Sequence, residues 1–133
     1  MSSIFSKIAK GELPSYKIAE TATCFAFLDI NPIAEGHVLV IPKKEVDYLF
    51  DIEDELYQDL MLFSKNVARA IRTIIPCERI GVAVIGLEVP HAHVHLIPIF
   101  NVHDIDFSRP KLSLSEEALK DTSNKISEAF LAL

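Results

Sequence analysis

The chain has 133 residues, 50% of them hydrophobic and 24% charged, with a formal net charge of −6. That size fits one domain with a real core, and the absence of long polar or low-complexity tracts excludes wholesale disorder. The acidic balance argues against a partner nucleic acid held through its phosphates, which needs a basic face, yet leaves a small nucleotide open.

No run approaches the ~20 apolar residues of a membrane span, and Met-Ser-Ser-Ile-Phe-Ser-Lys at the N-terminus has no apolar signal core. No membrane partner and a cytoplasmic location are therefore expected. Cys24 and Cys77 form no CxxC pair; in a reducing compartment both are expected as free thiols, Cys24 buried.

In chain order, residues 4–10 read as a short helix stopped by Gly11, with Pro14 beyond. Residues 16–19 and 23–29 are rich in aromatic and apolar side chains and read as strands. Asn31-Pro32 breaks that run with a turn, and 36–42, bounded by Gly36 and Pro42, reads as a further strand. From 52 to 75 the pattern becomes helical. Leu56, Leu60, Phe63, Val67, Ala70, Ile71 and Ile74 make one apolar stripe. Asp51, Glu53, Asp54 and Glu55 crowd its start, where negative charge suits the helix dipole, and Pro76 ends it. Residues 79–85 and 91–99 read as two more strands, and 115–131 as a closing helix capped by Ser113 or Ser115. This order gives an α+β fold: an antiparallel sheet packed by a long central helix and shorter terminal helices. No glycine-rich phosphate loop or βαβ alternation supports a dinucleotide-binding fold.

Three of the five histidines fall in His91-Ala92-His93-Val94-His95-Leu96-Ile97-Pro98. On a strand, alternation puts His91, His93 and His95 on one face and Ala92, Val94 and Leu96 on the core side. Such a face suits a histidine nucleophile attacking phosphorus, because neutral imidazole forms a labile phosphoramide. It also suits a zinc clamp. The three same-face positions span about 13 Å, four rises of ~3.3 Å, so zinc would need two of them plus a remote ligand such as His37. Purely structural imidazoles are a third reading, opposed by the cost of burying three polar rings.

The motif resembles the His-φ-His-φ-His-φ-φ signature of the histidine-triad (HIT) family of nucleotide hydrolases and transferases. Ile4-Phe5-Ser6-Lys7-Ile8, Ala26-Phe27-Leu28-Asp29-Ile30-Asn31-Pro32 and Gly36-His37-Val38-Leu39-Val40-Ile41-Pro42-Lys43 look like further landmarks of that family in its order. The resemblance covers about residues 3–100 of a single domain over 1–133 and implies a five-stranded HIT-like fold. It also implies that His93 attacks the α-phosphate of a nucleotide, with His91 and His95 orienting it and contacting the phosphate and His37 completing the network. Asp29 would bind the ribose hydroxyls, and Ile4, Phe5, Ile8, Phe27 and Ile30 would sandwich a purine.

By the same resemblance no cofactor or metal is needed at the histidines, and the chain is expected as a homodimer. A nucleoside phosphoramidate heads the implied substrates, followed by dinucleoside polyphosphates. A nucleotide-binding protein with little turnover is the alternative. That alternative has a specific source in residues 84–90, where the family's pattern is broken. Gly86 is kept as a candidate phosphate-side residue, but Leu87 replaces the usual amide, no Asn lies between Arg79 and Pro90, and Glu88 can only accept hydrogen bonds. Glu45 likewise stands where a histidine often follows the Pro-Lys pair. His103, beside Asp104 and Asp106, reads as a solvated loop residue.

Overall fold

The computed structural model describes residues 2–133. It runs through α1 (Ile4–Ala9), β1 (Lys17–Glu20), β2 (Cys24–Leu28), β3 (Val38–Pro42), α2 (Asp54–Ile74), β4 (Arg79–Ala83), β5 (Val94–Ile99) and α3 (Glu116–Leu131). One five-stranded sheet has the order β1-β2-β3-β5-β4, and every pairing in it is antiparallel. The expected α+β architecture is therefore the observed one.

Alternation divides the sheet into two unlike faces. Cys24, Ala26, Leu28, Val38, Val40, Val94 and Leu96 join the main core. There they meet the stripe of α2, whose Leu60, Val67, Ala70 and Ile71 have no exposed surface. Burying each of the larger aliphatic side chains contributes about 1.5–3 kcal/mol. Glu53 and Ser115 take the N-cap positions of α2 and α3, and the Ser115 hydroxyl accepts the Ala118 N–H. The other face carries a smaller cluster of Phe5, Phe25, Phe27, Leu39 and Ile41, covered by α1. Leu39 pairs with His95 across β3 and β5, so the histidines open onto this second face.

Strand β5 begins at Val94, not at His91 as the sequence pattern predicts. The backbone groups of the preceding residues are spent elsewhere: the Ala92 N–H donates to the Val46 carbonyl at 2.7 Å, and the His91 carbonyl accepts a bond from the His93 ring. His91 and His93 still share the face of His95, because Ala92 and Val94 are buried in the main core while both imidazole rings pack on Phe5 of the opposite face. His37 likewise sits one residue before β3.

Candidate active site

Each ring nitrogen of the triad can be assigned by asking whether its partner can donate. The His93 Nδ1 lies 2.8 Å from the His91 carbonyl, which only accepts, so Nδ1 carries the hydrogen. Its Nε2 is left with a free lone pair. The His93 ring rests against Phe5, with centroids 4.9 Å apart, and against His95 at 5.0 Å. An apolar wall and a neighbouring imidazole therefore frame that nitrogen.

The other rings are fixed in the same way. The Ile33 N–H donates to His37 Nδ1 at 3.2 Å, so the His37 proton sits on Nε2. From there it is donated to His95 Nδ1 at 2.9 Å, which leaves the His95 proton on Nε2, where it can serve a ligand. His91 Nε2–H donates to the Pro42 carbonyl at 2.8 Å, and its Nδ1 accepts the Ser3 hydroxyl at 2.7 Å. His91 is 0% exposed with both nitrogens engaged by the protein, so its ring has nothing to offer a phosphate. Its contribution to the site is the carbonyl that holds His93.

Electrostatics keeps the pair behind His93 neutral. Burial pushes the His37 imidazole down to about 4 against the pull of the Asp29 carboxylate, and the Lys111 ammonium adds repulsion. Burial, the neighbouring His37 and His93 rings, and Lys111 push His95 down to about 3. Burial also lowers His91, although its bond to Pro42 and the charge of Glu45 oppose the shift. Neutral imidazoles at pH 7 donate hydrogen bonds without surrendering protons.

The predicted nucleotide-binding residues divide by exposure. Phe5, at 8%, and Phe27, at 4%, pack edge to face with centroids 5.6 Å apart and form a floor. Ile8 packs half-buried against the same cluster. Ile4 and Ile30 stand exposed at 51% and 61%, outside any core. Asp29 is engaged twice: Oδ1 accepts the Asn31 N–H at 2.9 Å, closing the turn, and Oδ2 lies 3.6 Å from His37 Nε2. Gly86 holds a left-handed φ of +74° with nothing near its missing Cβ, which marks a sharp, open turn. Beyond it Leu87 is 88% exposed, while Val89 packs on the phenylalanine cluster.

Two groups beside the site carried no readable signal. Phe107 stacks edge-on to His95, with centroids 4.8 Å apart, and reaches His37 at 6.3 Å. Lys111 lies over the Phe107 ring at 5.6 Å. Both come from the segment after β5, anchored where the Leu112 N–H donates to the Pro32 carbonyl at 2.8 Å and where Ile105 fills the space beside Gly81. His103 is exposed, as expected.

Asp29, His37 and His95 place one possible metal donor each within 4.8 Å of one another. The donor chemistry does not fit a cation there. A ligating His37 Nε2 would need a bare lone pair, which would move its hydrogen to Nδ1, opposite the Ile33 N–H. Two donors would then face each other.

The HIT domain family model matches residues 10–102. An adenosine 5'-monophosphoramidase of Saccharomyces cerevisiae is 46% identical over 97 residues, covering 71% of this chain and 61% of that protein. Its Schizosaccharomyces pombe counterpart is 37% identical over 133 residues, covering 96% of this chain and 97% of the other. Among solved structures, a zinc-bound histidine triad family protein from Mycobacterium smegmatis superposes with a TM-score of 0.83 at 25% identity, covering 99% of this chain and 95% of that one.

Proposed function

Because the chain belongs to the HIT domain family, we propose that it hydrolyses a purine nucleoside phosphoramidate through a nucleotidyl intermediate on His93. The observation that carries this reading is the His93 tautomer: Nδ1–H is tied to a backbone carbonyl, which leaves Nε2 as a nucleophile that needs no deprotonation. The Nε2 lone pair forms the bond to the α-phosphorus as the bond from phosphorus to the amine breaks. The amine leaves with that electron pair and takes up a proton. Water then splits the nucleotidyl-histidine, releasing the nucleoside monophosphate and restoring the lone pair.

His95 Nε2–H, backed by His37, supplies a neutral donor toward the phosphoryl group. Asp29 offers acceptor capacity to the ribose hydroxyls, and Phe5, Phe27, Ile8, Ile4 and Ile30 offer apolar surface to the base. The names of the yeast relatives support the phosphoramidate class. In solution we place two copies together: edge strand β4 exposes Val82 and α2 exposes Leu62, and the mass of the particle at micromolar concentration reads the pairing.

The test is incubation with adenosine 5'-phosphoramidate, with and without chelator. Chelator-insensitive AMP release, with acid-labile adenylyl label on His93, is expected. Tight AMP binding without turnover or label would replace this reading with a nucleotide-binding module. The exposed Leu87, standing where a donor amide is usual, favours that second reading. Leu87→Gln restores a donor to a side chain that packs on nothing, so its stability should stay within about 0.5 kcal/mol of the parent's. Recovering one donor at a developing charge should raise kcat by about 10-fold or more, given the 10²–10³ such donors can supply. Steady-state kinetics on the purified variant checks it.

A further inference from the structure

The segment from Pro42 to Val46, between the end of β3 and the turn leading to α2, grips the first histidine of the triad at several points. His91 Nε2–H donates to the Pro42 carbonyl. The Ala92 N–H donates to the Val46 carbonyl at 2.7 Å. That N–H and the His91 carbonyl belong to one planar peptide and point in opposite directions. Pinning the N–H on Val46 therefore aims the carbonyl at His93 Nδ1, 2.8 Å away.

Between these two anchors stands Glu45, exposed to solvent. Its Oε1 accepts the Ser6 hydroxyl at 2.8 Å and also the Ser3 backbone N–H. Hydrogen bonds from Ser3 and Ser6 hold the Glu45 carboxyl down to about 2, so it is ionised throughout the neutral range. An ionised carboxylate only accepts, and it takes the one hydrogen of the Ser6 hydroxyl. The Ser6 oxygen lies 3.4 Å from His91 Nδ1 and then has no hydrogen for that nitrogen. Ser3, at 2.7 Å, is left as the sole donor to it. The Ser3 oxygen in turn accepts the Ser6 N–H at 3.0 Å as the N-cap of α1. Every hydrogen in this chain of contacts has one place to go.

We infer that Glu45 is a positioning residue: acting through Ser3 and Ser6 it fixes the His91 ring, and with it the peptide that sets the tautomer and aim of His93. Its bearing on rate rests on His93 being the nucleophile proposed above; its bearing on the His91 ring does not. The experiment compares the parent chain with Glu45→Ala and Glu45→Gln, reading ring tautomers by ¹⁵N–¹H NMR of the histidines and kinetics with adenosine 5'-phosphoramidate.

The parent should give single tautomers, Nε2–H at His91 and Nδ1–H at His93. Glu45→Ala frees the Ser6 hydroxyl to compete with Ser3 for His91 Nδ1. It should therefore shift and broaden the His91 ring signals while Nε2–H stays on the Pro42 carbonyl, and lower kcat by about 10–100-fold with KM held, the scale on which outer partners of a site act. Glu45→Gln keeps an oxygen that accepts both bonds and should retain the parent's spectrum and most of its kcat. Unchanged His91 ring signals in Glu45→Ala overturn the inference, and so does a Glu45→Gln variant as impaired as the alanine. A parent without turnover removes the catalytic reading alone, because the ring signals still decide whether Glu45 orders His91.

Discussion

His93→Ala is expected to abolish AMP release, with a loss on the order of 10⁴–10⁶-fold, as when the nucleophile of a group acting as a unit is deleted. The size follows from the tautomer argument. His93 Nε2 is the one triad nitrogen that is neither protonated nor bonded to the protein: His91 uses both of its nitrogens, His37 uses Nδ1 as acceptor and Nε2 as donor, and His95 carries its remaining hydrogen on Nε2. None of these can take over the attack without rebuilding the network.

His93→Asn is the informative companion, because an amide N–H can still meet the His91 carbonyl while offering no nucleophile. Both variants should bind AMP within a few-fold of the parent and carry no acid-labile label, as read by single-turnover quench and titration calorimetry. Turnover surviving above about one hundredth of the parent rate would place the nucleophile elsewhere.

The second large effect is acid destabilisation. His37 and His95 are buried neutral, held down to about 4 and about 3, whereas an unfolded histidine titrates near 6.5. The unfolded chain thus binds more protons than the native one throughout that interval, and stability rises with pH there. The contribution is complete above about pH 6.5, and it is lost progressively as the pH falls toward about 4 and then about 3. For the pair, which titrates as a unit, this is on the order of several kcal/mol, at about 1.4 kcal/mol for each unit of displacement.

Urea unfolding at a series of pH values should show the midpoint falling steeply below pH 6.5. His37→Asn should flatten the slope over that window, and an unchanged slope would mean that the pair titrates normally.

Much of this molecule is legible in one dimension. The apolar stripe of α2, the phenylalanine-bearing run of β2 and the aliphatic run of β3 place the layers, because each has apolar surface to bury. The edge of the motif is less readable. Alternation in 91–99 predicts a strand from His91, yet the ladder begins at Val94, because peptide groups needed to aim His93 cannot also pair with a neighbouring strand.

Ser3 and Glu45 illustrate a deeper limit. Ser3 has a local signature as the cap before Ile4, but its bond to His91 joins residues 88 apart, and no periodicity encodes such a partner. The same holds for Phe107, whose place beside His95 depends on how the segment after β5 folds back. Asp29 closes the turn before Asn31 with one carboxylate oxygen, and its other oxygen stands beside His37, a neighbour that no local pattern reveals.

The hydrogen bonds that order the triad span 88, 49 and 58 residues, from Ser3 to His91, Pro42 to His91 and His37 to His95. Contacts of such long range close large loops, and their entropic cost is met only when most of the chain is already in place. The site is accordingly among the last parts of the molecule to assemble and cannot be retained by a partly folded remnant. Recovery of nucleotide chemistry during refolding should coincide with completion of the whole structure, which makes activity a reporter of global folding for this chain.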